Sequence, residues 1–215
     1  MRSLFDTPTI EYCEKAIEGI IARPGYAISN VPFILLGIFI ICKHRKTPLG
    51  LAFGLCSIII GVFSFIYDAS FTYMSQYFDW MGMFLFVLIL SLLNIRRIVY
   101  VSNRNLMYLG AAILLTYSIL SFITQQGVVF FGLGVIFIIF TETYLLISRK
   151  EKVNIGWLTA LMLFFIGIIA RSLDLYGIIC DSSNLLNGRA VLHYLSTISI
   201  MLLFLYYNKV IYKRK

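Results

Sequence analysis

Long apolar runs alternate with short charged segments along the whole chain. A membrane-spanning helix needs about 20 apolar residues, and each run between two charged segments reaches about that length. The polar break Gln125-Gln126-Gly127 divides the one run that is too long for a single helix. This pattern predicts seven helices, at residues 27–44, 49–68, 76–95, 105–124, 128–147, 155–174 and 189–208.

The first 26 residues have a different character from the rest. They contain no long apolar run, which predicts a polar N-terminal segment, 1–26, followed by a membrane domain, 27–215. The charged residues Glu11, Glu14, Lys15 and Glu18 predict a short polar helix within this segment.

Composition supports an all-α, seven-transmembrane-helix bundle. The chain has 215 residues, of which 60% are hydrophobic and only 13% are charged. A soluble domain is closer to half apolar and a quarter charged, which excludes a soluble enzyme and a disordered protein. The net charge of +8 does not indicate a nucleic-acid partner, because the basic residues lie in short clusters between apolar runs. We therefore expect an integral, multi-pass membrane protein.

The basic clusters also predict an orientation. Lysine and arginine next to the spans concentrate on the cytosolic side of a membrane protein. Thirteen of the 18 basic residues follow predicted helices 1, 3, 5 and 7. The N-terminus is therefore predicted outside and the C-terminus in the cytosol.

Polar residues inside or beside the spans are candidate functional residues, because ionisable groups in a membrane are costly. Five of them fall at the predicted outer ends of helices 2, 3 and 7, namely Ser64, Asp68, Asp79, Arg189 and His193. Each also has a structural interpretation. Ser64 could bond the carbonyl one turn back, the two aspartates could be solvated loop residues, and Arg189 and His193 could simply pair with them.

Two other features remain open from the residues alone. Glu142, in the inner half, is expected to reach towards Arg149 and Lys150. Cys13 and Cys180 both fall on the predicted outer side, where oxidising conditions permit a disulfide. Their spacing equally allows two free thiols.

Three stretches of this sequence carry motifs in a recognisable order. The first is an acid–aromatic–cysteine–acid run followed by the start of helix 1, and it reads Glu11-Tyr12-Cys13-Glu14 with Arg23-Pro24-Gly25-Tyr26-Ala27-Ile28-Ser29-Asn30. The second covers helix 2 and the start of helix 3, from Gly61 to Ser70 with Gln76 and Asp79-Trp80. The third covers the end of helix 6 and the start of helix 7, from Leu173-Asp174 to Cys180 with Gly188 to His193. Together the three stretches resemble the alkaline ceramidase family of seven-span membrane hydrolases.

The resemblance implies a fold, a reaction and a set of site residues. In this family a zinc ion held by three histidines activates a water, which attacks the amide of a ceramide-type lipid. By position, Ser64 and Asp79 match the serine and aspartate beside the metal, and His193 matches one histidine. The resemblance also implies a calcium site that ties the N-terminal segment to helix 1, and a Cys13–Cys180 disulfide.

This chain departs from the family at both metal sites. The other two histidine positions hold Asp68 and Arg189, and an arginine cannot ligate a metal because it offers no lone pair. At the calcium site, the family has a glutamate before the proline, and this chain has Arg23 there. The acidic residues Glu11 and Glu14 remain at this site. We expect Arg189 to form a salt bridge with Asp68, Asp79 or both, in place of zinc.

Three functions therefore compete. The chain could hydrolyse the amide of a ceramide-type lipid with an altered metal held by Asp68 and His193, with or without Asp79. It could be a pseudoenzyme that binds or senses such a lipid, or it could be a small receptor or scaffold with no lipid substrate. The expected partner is a membrane lipid, and the sequence identifies no protein partner.

Overall fold

The computed structural model describes residues 3–150, 153–178 and 187–212. Within these ranges all the regular secondary structure is helical, and there is no strand. The helices are α1 (Pro24–Ser29), α2 (Val31–His44), α3 (Pro48–Ser70), α4 (Tyr73–Ile98), α5 (Asn103–Thr124), α6 (Gly127–Arg149), α7 (Ile155–Leu175) and α8 (Gly188–Tyr212).

Among the described residues, seven helices are long and apolar enough to cross a membrane, and α1 and α2 together form the first, Pro24–His44. This confirms the all-α class and the seven spans predicted from the apolar runs. The chain is an integral multi-pass membrane protein. Helices α4 and α8 continue past the predicted ends into basic residues, whose long side chains can extend from a span towards the membrane surface. The side on which each terminus lies stays a prediction.

Local sequence signals fix several helix starts. Pro48 occupies the first turn of α3, where its missing N–H costs nothing, and the Thr47 side chain accepts a hydrogen bond from Gly50 N at 3.1 Å. The Asn154 side chain caps α7 in the same way, accepting from Trp157 N at 3.3 Å. These caps satisfy amide groups that the first turn of a helix leaves without a partner.

The described residues divide into two compact units, and residues 1–78 and 154–215 form the first. Within it α2 packs on α3 through glycines, since a Cβ on Gly37 would lie 2.5 Å from the carbonyl oxygen of Gly54. A Cβ on Gly188 would likewise overlap the carbonyl oxygen of Ala170, so α8 begins directly against α7. Small residues permit this close backbone approach between membrane helices.

Residues 79–153 form the second unit. Its core stacks Phe84 on Tyr117, with ring centroids 3.6 Å apart. It also contains a buried ion pair, in which Arg97 Nη1 donates to Glu142 Oε2 at 2.6 Å. The cation at contact distance from Glu142 is thus Arg97 of the neighbouring helix α4, which was not expected, and an approach of Glu142 towards Arg149 and Lys150 stays a prediction.

The N-terminal segment, residues 3–23, contains no helix, so the predicted short polar helix is wrong. Some of its backbone groups form local turns, such as Asp6 N with Ser3 O, and others bond to groups far away in the sequence. Tyr73 N donates to Asp6 O at 2.9 Å, and Thr9 N donates to the Gln76 side chain at 2.9 Å. These contacts tie the segment to the start of α4, and they replace the local bonds that a helix would need.

Candidate functional site

Asp68, in the last turn of α3, lies at the centre of a buried group of charges. Arg23 Nη2 donates to its Oδ1 at 2.6 Å, and both side chains are 0% exposed. Arg189 Nη2 lies 3.3 Å from each carboxylate oxygen, and Asn30 Nδ2 donates to Oδ2 at 3.1 Å. We call Arg23, Asn30, Asp68 and Arg189 the arginine–carboxylate cluster. Its one carboxylate faces two guanidiniums, so the four side chains together carry a net positive charge.

Aromatic rings surround the guanidinium of Arg23. Its Cζ lies 4.1 Å from the ring centroid of Phe71 and 4.9 Å from that of Tyr67. The electron-rich face of an aromatic ring attracts a cation. Within the residues that the structure describes, Nε and Nη1 of Arg23 have no hydrogen-bond partner. Asp68 and these rings therefore carry most of the compensation for burying this charge.

Arg189 has a similar aromatic setting. Its Cζ lies 4.6 Å from the ring centroid of Tyr12 and 5.0 Å from that of Tyr67. Tyr12 comes from the N-terminal segment, and its hydroxyl accepts from Arg171 Nε at 2.7 Å. The N-terminal segment thus covers the second guanidinium of the cluster as well as binding α7.

Backbone bonds place Arg23 against Asp68. Arg23 N donates to the carbonyl oxygen of Asp68 at 3.1 Å, and Ala22 N donates to that of Ala69 at 2.9 Å. The last carbonyls of a helix have no partner inside it, so the end of α3 offers acceptors to a neighbouring extended chain. These two bonds fix the register in which the two side chains meet.

Glu14 has a structural role at the start of α1. Its Oε1 accepts from Gly25 N and its Oε2 from Tyr26 N, both at 2.8 Å. A carboxylate at a helix N-terminus binds amides that lack partners and compensates the positive end of the helix dipole. Of the three residues expected at a calcium-site remnant, Glu14 therefore caps a helix, Arg23 binds Asp68, and Glu11 is exposed.

Asp174, near the end of α7, connects three parts of the first unit. Its carboxylate accepts from Cys13 N at 3.0 Å, from the Tyr26 hydroxyl at 2.9 Å and from Arg189 N at 2.7 Å. It thereby holds the N-terminal segment, α1 and the first turn of α8 together. The sequence signal for this role is the position of Asp174 in the last turn of a predicted span, because a charge is retained there only when it is bonded.

His193 lies one turn after Arg189 on α8 and is buried. Its Nδ1 is 2.7 Å from Ser29 Oγ, which also donates to the carbonyl oxygen of Tyr26 at 2.6 Å. Ser29 lies in the first stretch of the family resemblance, but no role was predicted for it. Ser29, the last residue of α1, thus bonds to the histidine, and the next residue, Asn30, bonds to the cluster.

The remaining expected site residues are Ser64, Asp79, Cys13 and Cys180. Ser64 lies one turn before Asp68 on α3 and is buried, and Asp79 is buried in α4 but belongs to the second compact unit. Their role beside a metal or lipid stays a prediction. Cys13 is buried, whereas Cys180 lies outside the described residues, so the disulfide also stays a prediction.

The described residues offer no ready metal centre. Among residues 3–150, 153–178 and 187–212, no group of three or more histidine, cysteine, aspartate or glutamate side chains is arranged to hold a metal ion.

Comparison with known proteins gives one family. The family model described as Ceramidase matches residues 5–213, which is nearly the whole chain and confirms the resemblance seen in the sequence. A search of curated proteins finds no match.

Proposed function

Because the chain belongs to the ceramidase family, we propose that it binds a ceramide-type membrane lipid as a pseudoenzyme and does not hydrolyse the amide by zinc chemistry. The observation that carries this proposal is the sharing of Asp68 between Arg23 and Arg189. Family membership supports the lipid class, and the altered cluster supports the loss of the metal-dependent reaction.

The chemistry of the donor set does not fit zinc. A catalytic zinc site has three protein ligands and an open position. The resemblance gives three positions to histidine, and only position 193 is a histidine in this chain. The oxygens of Asp68 already accept from two guanidiniums and an amide. Arg189 has no lone pair for a metal, and its charge repels a cation.

The electrostatic magnitudes favour the arginine over the metal. Two unit charges 4 Å apart interact by about 4 kcal/mol at an effective dielectric constant of 20. A divalent ion next to Asp68 would meet a repulsion of that order or more from each guanidinium. In the cluster, Arg189 supplies the positive charge that a metal would otherwise bring to the carboxylate of Asp68.

The calcium site fits no better. Both oxygens of Glu14 accept from backbone amides of α1, and the position that the resemblance gives to a further acidic ligand is Arg23. We therefore expect the N-terminal segment to stay docked without calcium, held by the Glu14 cap and by Asp174.

The test is lipid binding and hydrolysis by the purified protein in nanodiscs. We expect saturable binding of an NBD-labelled ceramide, followed by fluorescence anisotropy. We expect no release of labelled fatty acid that a zinc chelator can suppress. Robust hydrolysis abolished by the chelator would contradict the pseudoenzyme. Absence of any ceramide binding would leave a receptor or scaffold function instead.

A further inference from the structure

The hydrogen-bond geometry fixes the tautomer of His193. A serine hydroxyl has one proton to donate, and a carbonyl oxygen can only accept. Since Ser29 Oγ lies 2.6 Å from the carbonyl oxygen of Tyr26, its proton points there. The proton shared with His193, across 2.7 Å, therefore belongs to Nδ1 of the imidazole.

This tautomer leaves Nε2 as a hydrogen-bond acceptor. In a neutral imidazole one nitrogen donates and the other accepts, and Nε2 lies on the opposite edge of the ring from the bond to Ser29. Within the part of the chain that the structure describes, the imidazole forms no salt bridge with a carboxylate. A buried cation without such a partner is costly, so the neutral form is favoured.

The surroundings of His193 contain donors in excess of acceptors. Arg189, one turn earlier on α8, brings a guanidinium, and the oxygens of Asp68 already accept from Arg23, Arg189 and Asn30. A ceramide-type headgroup has an amide carbonyl, which accepts, and it also has hydroxyls and an amide N–H, which donate. The donors of such a lipid need an acceptor that is not already bonded.

We propose that His193 Nε2 accepts a hydrogen bond from a hydroxyl or the amide N–H of the bound lipid, with Ser29 as the positioning residue that holds the imidazole in the required tautomer. This inference rests on the proposed function and deepens it. It gives His193 a role in lipid selection, and this role does not require a metal. The protein would then distinguish a ceramide from an analogue that lacks the one donor which His193 binds.

The experiment compares the NBD-labelled ceramide with three analogues, the 1-deoxy and 3-deoxy forms and the form in which an ester replaces the amide. Each analogue removes one donor without adding bulk. We expect one of them to bind wild-type protein about 10- to 100-fold more weakly than the parent, because the buried acceptor is left unpaired. In His193→Leu the parent and that analogue should bind equally.

Two further variants separate this role from a purely structural one. His193→Gln keeps an acceptor and should retain part of the discrimination, while Ser29→Ala, which releases the tautomer, should reduce it. Equal binding of all four lipids by wild-type protein would overturn the inference, as would unchanged discrimination in His193→Leu. Failure of the parent ceramide to bind wild-type protein would overturn the proposed function itself.

Discussion

Replacing Asp68 by asparagine should leave the buried guanidiniums of Arg23 and Arg189 without the carboxylate that they share. The change keeps the size of the side chain and one acceptor oxygen, so it opens no cavity, and its cost is electrostatic. Removing one partner of a buried ion pair typically costs about 3–5 kcal/mol, and here the Arg23 pair is fully buried with a separation of 2.6 Å. At about 2–4 °C per kcal/mol for a chain of this size, the midpoint of thermal unfolding should fall by roughly 6–20 °C.

The assay is thermal unfolding in detergent, followed by near-ultraviolet circular dichroism. Arg23→Gln combined with Asp68→Asn should recover much of the loss, because the double variant removes a stranded charge together with the carboxylate. A double-mutant cycle on these two positions should therefore show a coupling of more than 1 kcal/mol. Glu142→Gln, a change of the same chemistry at the buried pair with Arg97 in the other compact unit, is the matched control. It should lower stability but leave ceramide binding unchanged.

Two results would refute this reasoning. The first is a midpoint for Asp68→Asn within 2 °C of wild type, which would mean that the cluster carries little charge interaction. The second is strict additivity in the cycle, which would mean that Arg23 and Asp68 act independently despite their contact.

Three further predictions concern packing, thiols and topology. Gly188→Ala should destabilise the protein by several kcal/mol, because the added Cβ would overlap the carbonyl oxygen of Ala170, and backbone atoms move less easily than the end of a side chain. The midpoint of thermal unfolding measures this loss. An unchanged midpoint would be inconsistent with the packing of α8 on α7. Counting thiols in denatured, unreduced protein should find two, because Cys13 and Cys180 are predicted to be bonded, and four thiols would exclude the bridge. A tag fused after Lys215 should be accessible only from the cytosol, and labelling it from outside intact cells would reverse the predicted orientation.

The spans could be predicted from the sequence because charge is so expensive in a membrane that it marks their ends. The helix ends were less predictable. Arg96 and Arg97 continue α4, since long basic side chains can extend from the last turn of a helix towards water. The short polar helix predicted in the N-terminal segment does not form, because its polar groups bond to distant parts of the chain. The charge pattern around Glu14 suits a helix, but its carboxylate caps α1, and nearby backbone amides of the segment bond to distant groups.

The partners in the candidate site depend on contacts far apart in sequence. The meeting of Arg189 with Asp68 was expected from the resemblance, which gives both positions to one metal centre. The closer partner, Arg23, was not expected there, because the backbone bonds between the N-terminal segment and the end of α3 decide its register. Glu142 illustrates the same limit. Its pairing with Arg97, 45 residues away, follows from the packing of α6 beside α4 and leaves no periodic signal in the sequence.

The central claim is that a salt bridge between Arg189 and Asp68 takes the place of the zinc that this family holds, and the zinc content of the purified protein tests it most directly. Elemental mass spectrometry should find far less than one zinc per wild-type chain. The variant Arg23→Glu with Asp68→His and Arg189→His removes both guanidiniums and adds two ligands beside His193, so it should bind about one zinc ion. One zinc per wild-type chain, removed by a chelator and restored on adding zinc, would contradict the account.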